Sequence, residues 1–123
     1  MIDQKINEIL IEVLGLDEEE KINPENDLIR DLAAESIDFV DICFRLEKEF
    51  KLGKVNPGNI FPAFLEKADL KNGIPDNIIE QLIKEFPHTN VGLIDELKRE
   101  KNPRIFLQVK NLISFVSYKL NQN

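Results

Sequence analysis

Reactive side chains are scarce in this chain. Its one cysteine, Cys43, has no partner for an internal disulfide and sits among Ile42, Phe44 and Leu46. Its one histidine, His88, follows Pro87 far along the chain from Cys43. That spacing suggests neither a Cys–His nucleophile pair nor a zinc ligand set, and a surface histidine is expected. Five scattered glycines form neither a phosphate-binding loop nor a dinucleotide fingerprint. The acidic stretches lack the alternating Asp/Asn pattern and central glycine of a calcium loop. Also missing are a run of about 18 apolar residues, a secretory hydrophobic region and a charged transit segment. The expectation is a soluble, cytoplasmic protein with no membrane span, no metal site and no set of catalytic residues, hence not an enzyme.

Negative charge is what the chain has in excess. A net charge of −7 argues against a nucleic-acid partner, whose phosphates demand lysine and arginine on the reading surface. Residues 1–51 carry 15 of the 23 acidic side chains and 6 of the 16 basic ones, a net of −9, so the rest of the chain is slightly positive. Such a field attracts basic partner surfaces and speeds their encounter, an effect that salt weakens. An acidic surface is also ordinary in soluble proteins.

Apolar spacing supplies the elements. Ile2, Ile6, Ile9, Leu10, Val13 and Leu14 recur every three or four positions, which predicts an amphipathic helix stopped by Gly15. From Leu16 to Asp31 an acidic run and isolated apolar residues show no sustained period, as in a long ordered loop. A second helix is predicted from about Ser36 to Phe50, ended by Leu52-Gly53. Its buried stripe is Phe39, Cys43, Leu46 and Phe50, widened by Val40, Ile42 and Phe44. Val55-Asn-Pro-Gly58 reads as a turn, followed by a short apolar piece from Ile60 to Leu65. Pro75 is placed to open a helix burying Ile78, Ile79, Leu82, Ile83 and Phe86. A short helix is expected from Val91 to Lys101, and a last one with Ile105, Val109, Leu112, Val116 and Leu120 in register. No alternating strand pattern competes, so the expected class is all-α, a small bundle forming one domain over 1–123.

Ser36 stands out by position. At a helix start a serine most simply caps the free backbone N–H groups, worth about 1 kcal/mol. Position 39 is Phe, so the reciprocal capping box is missing, and Glu35, Asp38 and Asp41 crowd the serine. A phosphate on Ser36 would gain roughly 0.3–1 kcal/mol from the helix dipole and lose to repulsion from those acids. Local physics therefore leaves both readings open, cap and modification site.

The segment Asp31-Leu-Ala-Ala-Glu-Ser-Ile-Asp38 runs on through Phe39-Val-Asp-Ile-Cys-Phe-Arg-Leu-Glu-Lys-Glu-Phe50. It resembles the signature of acyl carrier proteins, Asp-Leu-Gly-x-Asp-Ser-Leu-Asp followed by an acidic helix ending in Glu-Glu-Phe or Lys-Glu-Phe. The similarity extends to the first helix, to Asn23-Pro-Glu in the loop, and to the last helix, Val109 through Leu120. The resemblance implies an acyl-carrier-like bundle in which Ser36 bears a covalent 4'-phosphopantetheine arm, added by a phosphopantetheinyl transferase. The arm's thiol would hold acyl groups as thioesters while the bundle interior shields the acyl chain. Glu35, Asp38, Asp41 and Glu47 would dock basic surfaces of the transferase and of acyl-transfer or condensing enzymes. The resemblance further implies a monomer that catalyses nothing itself and serves fatty acid biosynthesis. Two related readings are a carrier of aminoacyl or peptidyl groups and an unmodified carrier-like helical adaptor.

This chain departs from the family pattern in three ways. The family's Gly, Asp and Leu around the serine are Ala33, Glu35 and Ile37 here, and Arg45 can pair with Asp41 one turn earlier, by a few tenths of a kcal/mol. Between Gly53 and Ile105, where ordinary carriers have a short third helix, an inserted segment at about 55–103 carries Phe61, Phe64, Leu82, Phe86 and Leu97. That apolar content suits a folded helical subdomain rather than a linker. By analogy with carriers bearing such insertions, it would suit a specialised lipid, such as the acyl chains of lipopolysaccharide.

Overall fold

Residues 2–121 are described by the computed structural model, which holds six α-helices among them: α1 (Ile2–Leu14), α2 (Ser36–Phe50), α3 (Pro57–Ile60), α4 (Asp76–Glu85), α5 (Val91–Glu100) and α6 (Val109–Leu120). Short 3₁₀ turns occupy Ala63–Lys67 and Pro103–Leu107. No strand occurs among the described residues, and one antiparallel bridge joins Asp27 to Gln108. The class is all-α, as expected.

Helices α1, α2 and α6 form the bundle because each carries an apolar stripe at helical spacing. Ile6 and Leu10, Ile42 and Leu46, and Leu112 and Val116 meet with essentially no exposure, closed from the loop side by Leu28. Gly15 ends α1 in the left-handed region at φ 64°, as its position suggested. Helix α2 ends at Phe50 as expected, but its stop differs. Lys51 itself takes the left-handed cap at φ 55° and its N–H returns to the Glu47 carbonyl, so the cap falls two residues before Gly53.

The loop after α1 is tied at Asn26 and Leu28 to the backbone that leads into α6. The N–H of Leu28 donates to the Leu107 carbonyl at 2.9 Å, and that of Val109 to Asn26 at 3.0 Å. These bonds require extended backbone at Gln108, which separates α6 from the 3₁₀ turn before it. Ile105, expected in register with α6, therefore lies in that turn, buried against a different set of neighbours.

Those neighbours form a second core. Leu65, Leu70, Leu82, Phe86, Leu97 and Phe106 pack together with Ile105, away from the bundle cluster. Helix α4 opens after Pro75 and buries Leu82, with Phe86 just beyond its end, but Ile83 is 56% exposed. One residue is a turn of about 100°, enough to carry Ile83 off the face that Leu82 occupies.

A polar hinge-pin joins the two cores. Asn111, fully buried in α6, donates to the carbonyls of Ile60 at 3.1 Å and Phe106 at 2.9 Å. His88, expected on the surface, is buried beside it at 3% exposure. A carbonyl can only accept, so His88 Nε2 carries a proton and donates to Ile60 at 3.1 Å, while Ser114 donates to the His88 carbonyl at 2.6 Å. Burial holds the imidazole down at a pKa of about 4, although the Ile60 hydrogen bond favours the protonated form. The imidazole edge also meets the rings of Phe86 and Phe115.

Candidate functional site

Ser36 occupies the first position inside α2, not the cap. The capping residue is Glu35, in extended conformation, and its N–H donates to the carboxylate of Asp38 at 2.8 Å. The Asp38 N–H in turn donates to the Glu35 carbonyl at 2.9 Å. The reciprocal arrangement that Ser36 and Phe39 cannot make is thus supplied one residue earlier by two acids. Among the described residues nothing hydrogen-bonds Ser36 Oγ, and the residue is exposed. The other hydroxyls of this type are less available. Thr89 is buried, Ser117 is half-buried, and half-buried Ser114 is engaged with His88.

The turn feeding α2 is built around Asp27. Its carboxylate accepts from the N–H groups of Ile29 and Arg30, each at 2.9 Å, and from the guanidinium of Arg104 through two bonds of 3.0 Å. Asp31 reaches back to accept from the Asp27 N–H at 2.7 Å. Ala33 then adopts φ 60°, a left-handed conformation that a glycine would take without strain, and Ala34 bonds back to Leu28. Sequence reasoning misses Asp27 and Arg104, which lie 77 residues apart and have no local signal linking them.

The acidic positions do not form one uniform patch. Glu35 and Asp38 flank Ser36 at the helix start. Asp41, half-exposed, pairs with Arg45 at 3.2 Å, and Arg45 also reaches Glu12 at 2.7 Å. Glu47 lies further along the helix and accepts from the Val55 N–H at 3.0 Å, so its carboxylate also anchors the start of the inserted segment. Val40 and Phe44 are not part of the buried stripe. They are 60% and 51% exposed and, with Ile37 at 72%, line the outer face of α2 at spacings of three and four. Cys43 is buried on the opposite face, and that burial, helped by nearby Glu47, pushes its thiol up to about 11.

Ser36 borders a mostly apolar groove of about 550 Å³. Ile29 and Phe39 form its bundle wall, and Phe61, Leu65 and Phe106 its opposite wall, with Arg104 and Glu66 among its few polar residues. The rings of Phe39 and Phe61 meet edge to face at 5.1 Å, joining the two walls at the base. A free, exposed hydroxyl at a helix start beside a preformed groove fits a phosphate-linked arm. No helix among the described residues is long and apolar enough to cross a membrane, and no cluster of metal-ligating side chains occurs among them.

Comparison with known proteins agrees with this geometry. Residues 4–61 match the family described as "Phosphopantetheine attachment site", a range that takes in most of α1 and all of α2 and α3, Ser36 included. An acyl carrier protein of Karelsulcia muelleri (strain GWSS) is 46% identical over 48 residues, which is 39% of this chain and 57% of that protein. The match thus spans little more than half of the relative's length. No solved structure matches the chain. Over residues 4–61 the chain is similar to the phosphopantetheine-attachment family, and α4 and α5 lie outside that range.

Proposed function

We propose that Ser36 is the attachment point of a covalent 4'-phosphopantetheine arm and that the chain carries acyl groups as thioesters in cytoplasmic fatty acid or specialised lipid biosynthesis, catalysing nothing itself. The observation that carries this reading is the Ser36 hydroxyl. It is exposed, held by no hydrogen bond among the described residues, and placed at the start of α2 inside the range that matches the attachment family.

When attached, the arm supplies a thiol on a long tether. The chain's own residues do the rest. Ser36 Oγ would bond to the phosphorus of an activated phosphopantetheine donor as that donor's phosphoanhydride P–O bond breaks, the leaving phosphate departing and the serine proton passing to a base of the transferase, and the positive end of the α2 dipole offsets part of the charge that Glu35 and Asp38 oppose. The outer face of α2 offers a phosphopantetheinyl transferase and acyl-transfer or condensing enzymes a mixed surface. Ile37, Val40 and Phe44 supply apolar anchors, and Glu35, Asp38 and Asp41 supply charge that steers a basic partner. Arg45 reduces that charge next to Asp41, which selects for partners whose basic residues approach nearer Ser36. Glu47 contributes less to docking than the other three because its carboxylate holds Val55.

Co-expression with a broad-specificity phosphopantetheinyl transferase followed by intact-mass measurement tests the reading. The wild type gains one phosphopantetheine increment and Ser36→Ala gains none. An unmodified wild type would instead support a carrier-like adaptor acting through contacts alone.

A further inference from the structure

Lys5, Arg45, Arg104 and Lys110 are each neutralised by a carboxylate at 3.2 Å or less. Three other lysines are not. Lys54, Lys84 and Lys119 line one cavity of about 380 Å³ and make no ion pair among the described residues, although the chain holds 23 acids to 16 bases. The cavity lies where the inserted helices meet the last one. Lys54 sits between α2 and α3, Asn59 in α3, Lys84 and Glu85 at the end of α4, and Lys119 in the last turn of α6. It shares no residue with the groove that Ser36 borders.

The charge of this cavity is not balanced from within. Glu85 offsets one of the three ammonium groups, and the carbonyl ends of α4 and α6 offset about half a charge each, which leaves an excess of about one positive charge. Its hydrogen-bonding groups are mainly donors as well. A lysine can only donate, and the side-chain oxygen of Asn59 already accepts from the Asn56 N–H at 2.9 Å, which leaves its NH₂ group to donate. His88, 3% exposed, forms part of the lining with its Nε2 committed to the Ile60 carbonyl. Burial is the main reason that this imidazole stays neutral, and the charge of Lys119 adds to it, so the unbalanced field reaches the cavity lining. Phe115 and Tyr118 add a smaller carbon surface, and the Lys119 ammonium stands 5.8 Å from the centre of the Phe115 ring.

We propose that this cavity binds a phosphate monoester of a small organic group. The three free oxygens of such a phosphate match three ammonium donors, Lys54, Lys84 and Lys119, with the Asn59 NH₂ group as a fourth contact, while the organic part lies against Phe115 and Tyr118. Shape argues for a compact ligand. A flat field of lysines suits an acidic protein surface, whereas a concave site with room beyond one phosphate group suits a small molecule or a single headgroup. A soluble phosphate ester and a lipid headgroup ending in a phosphate monoester present the same chemistry. The site is independent of Ser36 and of whatever that residue carries.

The test titrates glycerol 3-phosphate into the full chain, with ionic strength held constant by sodium chloride, and follows the NMR signals of the His88 imidazole and the Tyr118 ring. Both shift saturably, and equally so in Ser36→Ala. Combining Lys84→Gln with Lys119→Gln weakens binding about tenfold or more, because each substitution removes a charge-assisted hydrogen bond. Lys98→Gln, on the exposed side of α5, leaves the affinity unchanged. Co-sedimentation with vesicles of phosphatidic acid in phosphatidylcholine, lost in the same double variant, identifies a lipid headgroup as the source, and its absence identifies a soluble ester. No saturable shift with glycerol 3-phosphate, the same shift with sodium chloride alone, an unweakened double variant, or equal weakening by Lys98→Gln would overturn the site.

Discussion

Ala33 carries a conformational cost three residues before Ser36. At φ 60° a side chain costs about 1–2 kcal/mol, and glycine relieves this at the expense of a looser unfolded chain by about 0.5–1 kcal/mol. Ala33→Gly should therefore stabilise the protein by roughly 0.5–1 kcal/mol, read as a higher urea midpoint; a lower midpoint would mean that the turn needs the alanine methyl. His88 makes the opposite kind of demand. Its folded pKa of about 4 lies below the ordinary value of 6.5, so the folded protein keeps it neutral while the unfolded chain takes up a proton. The stability it protects is complete above pH 6.5 and is lost as pH falls toward 4, amounting to roughly 2 kcal/mol between pH 7 and pH 5. Urea titrations at both pH values should show that part of the loss vanishing in His88→Gln, and an equal loss in the variant would contradict the buried neutral imidazole.

At the scale of elements, the contact that fixes the approach to α2 is the ion pair between Asp27 and Arg104. Both side chains are largely covered, and Asp27 also holds two backbone N–H groups. Asp27→Ala should cost about 3 kcal/mol by chemical denaturation, whereas a surface pair would cost well under 1 kcal/mol, an outcome that would contradict its role as the hub of the turn. Helices α1, α2, α4 and α5 were legible from spacing and stop residues because those signals are local. Which apolar residues of α2 face inward was less so. Val40 and Phe44 sit beside Ile42 and Cys43 in sequence, and a stripe this wide can be cut in two places until α1 and α6 are seen to cover one side. The burial of His88 was illegible for a plainer reason. Its partner is the Ile60 carbonyl, 28 residues away and carrying no side-chain signal. The motif marks Ser36 as the proposed attachment point, yet its freedom from capping was not legible, since that arises from Glu35 and Asp38 taking over the helix end.

The whole molecule divides its labour between two cores. The bundle bears most of the negative charge and presents Ser36 and the exposed apolar face of α2, while the inserted helices stand behind the groove and are pinned to α6 through Asn111 and His88. This pinning explains why the insertion is no loose appendage. Ile60 belongs to the bundle core and, at the same time, its carbonyl accepts the hydrogen bonds of Asn111 and His88 that anchor the inserted helices. The central claim is that Ser36, alone among the hydroxyls, receives the arm. It is tested most directly by proteolysis of the transferase-treated protein and fragment mass spectrometry. A phosphopantetheine increment localised to Ser36 within the peptide spanning Asp31 to Arg45 is the predicted result. An increment on Thr89, Ser114 or Ser117, or on no residue, would contradict it.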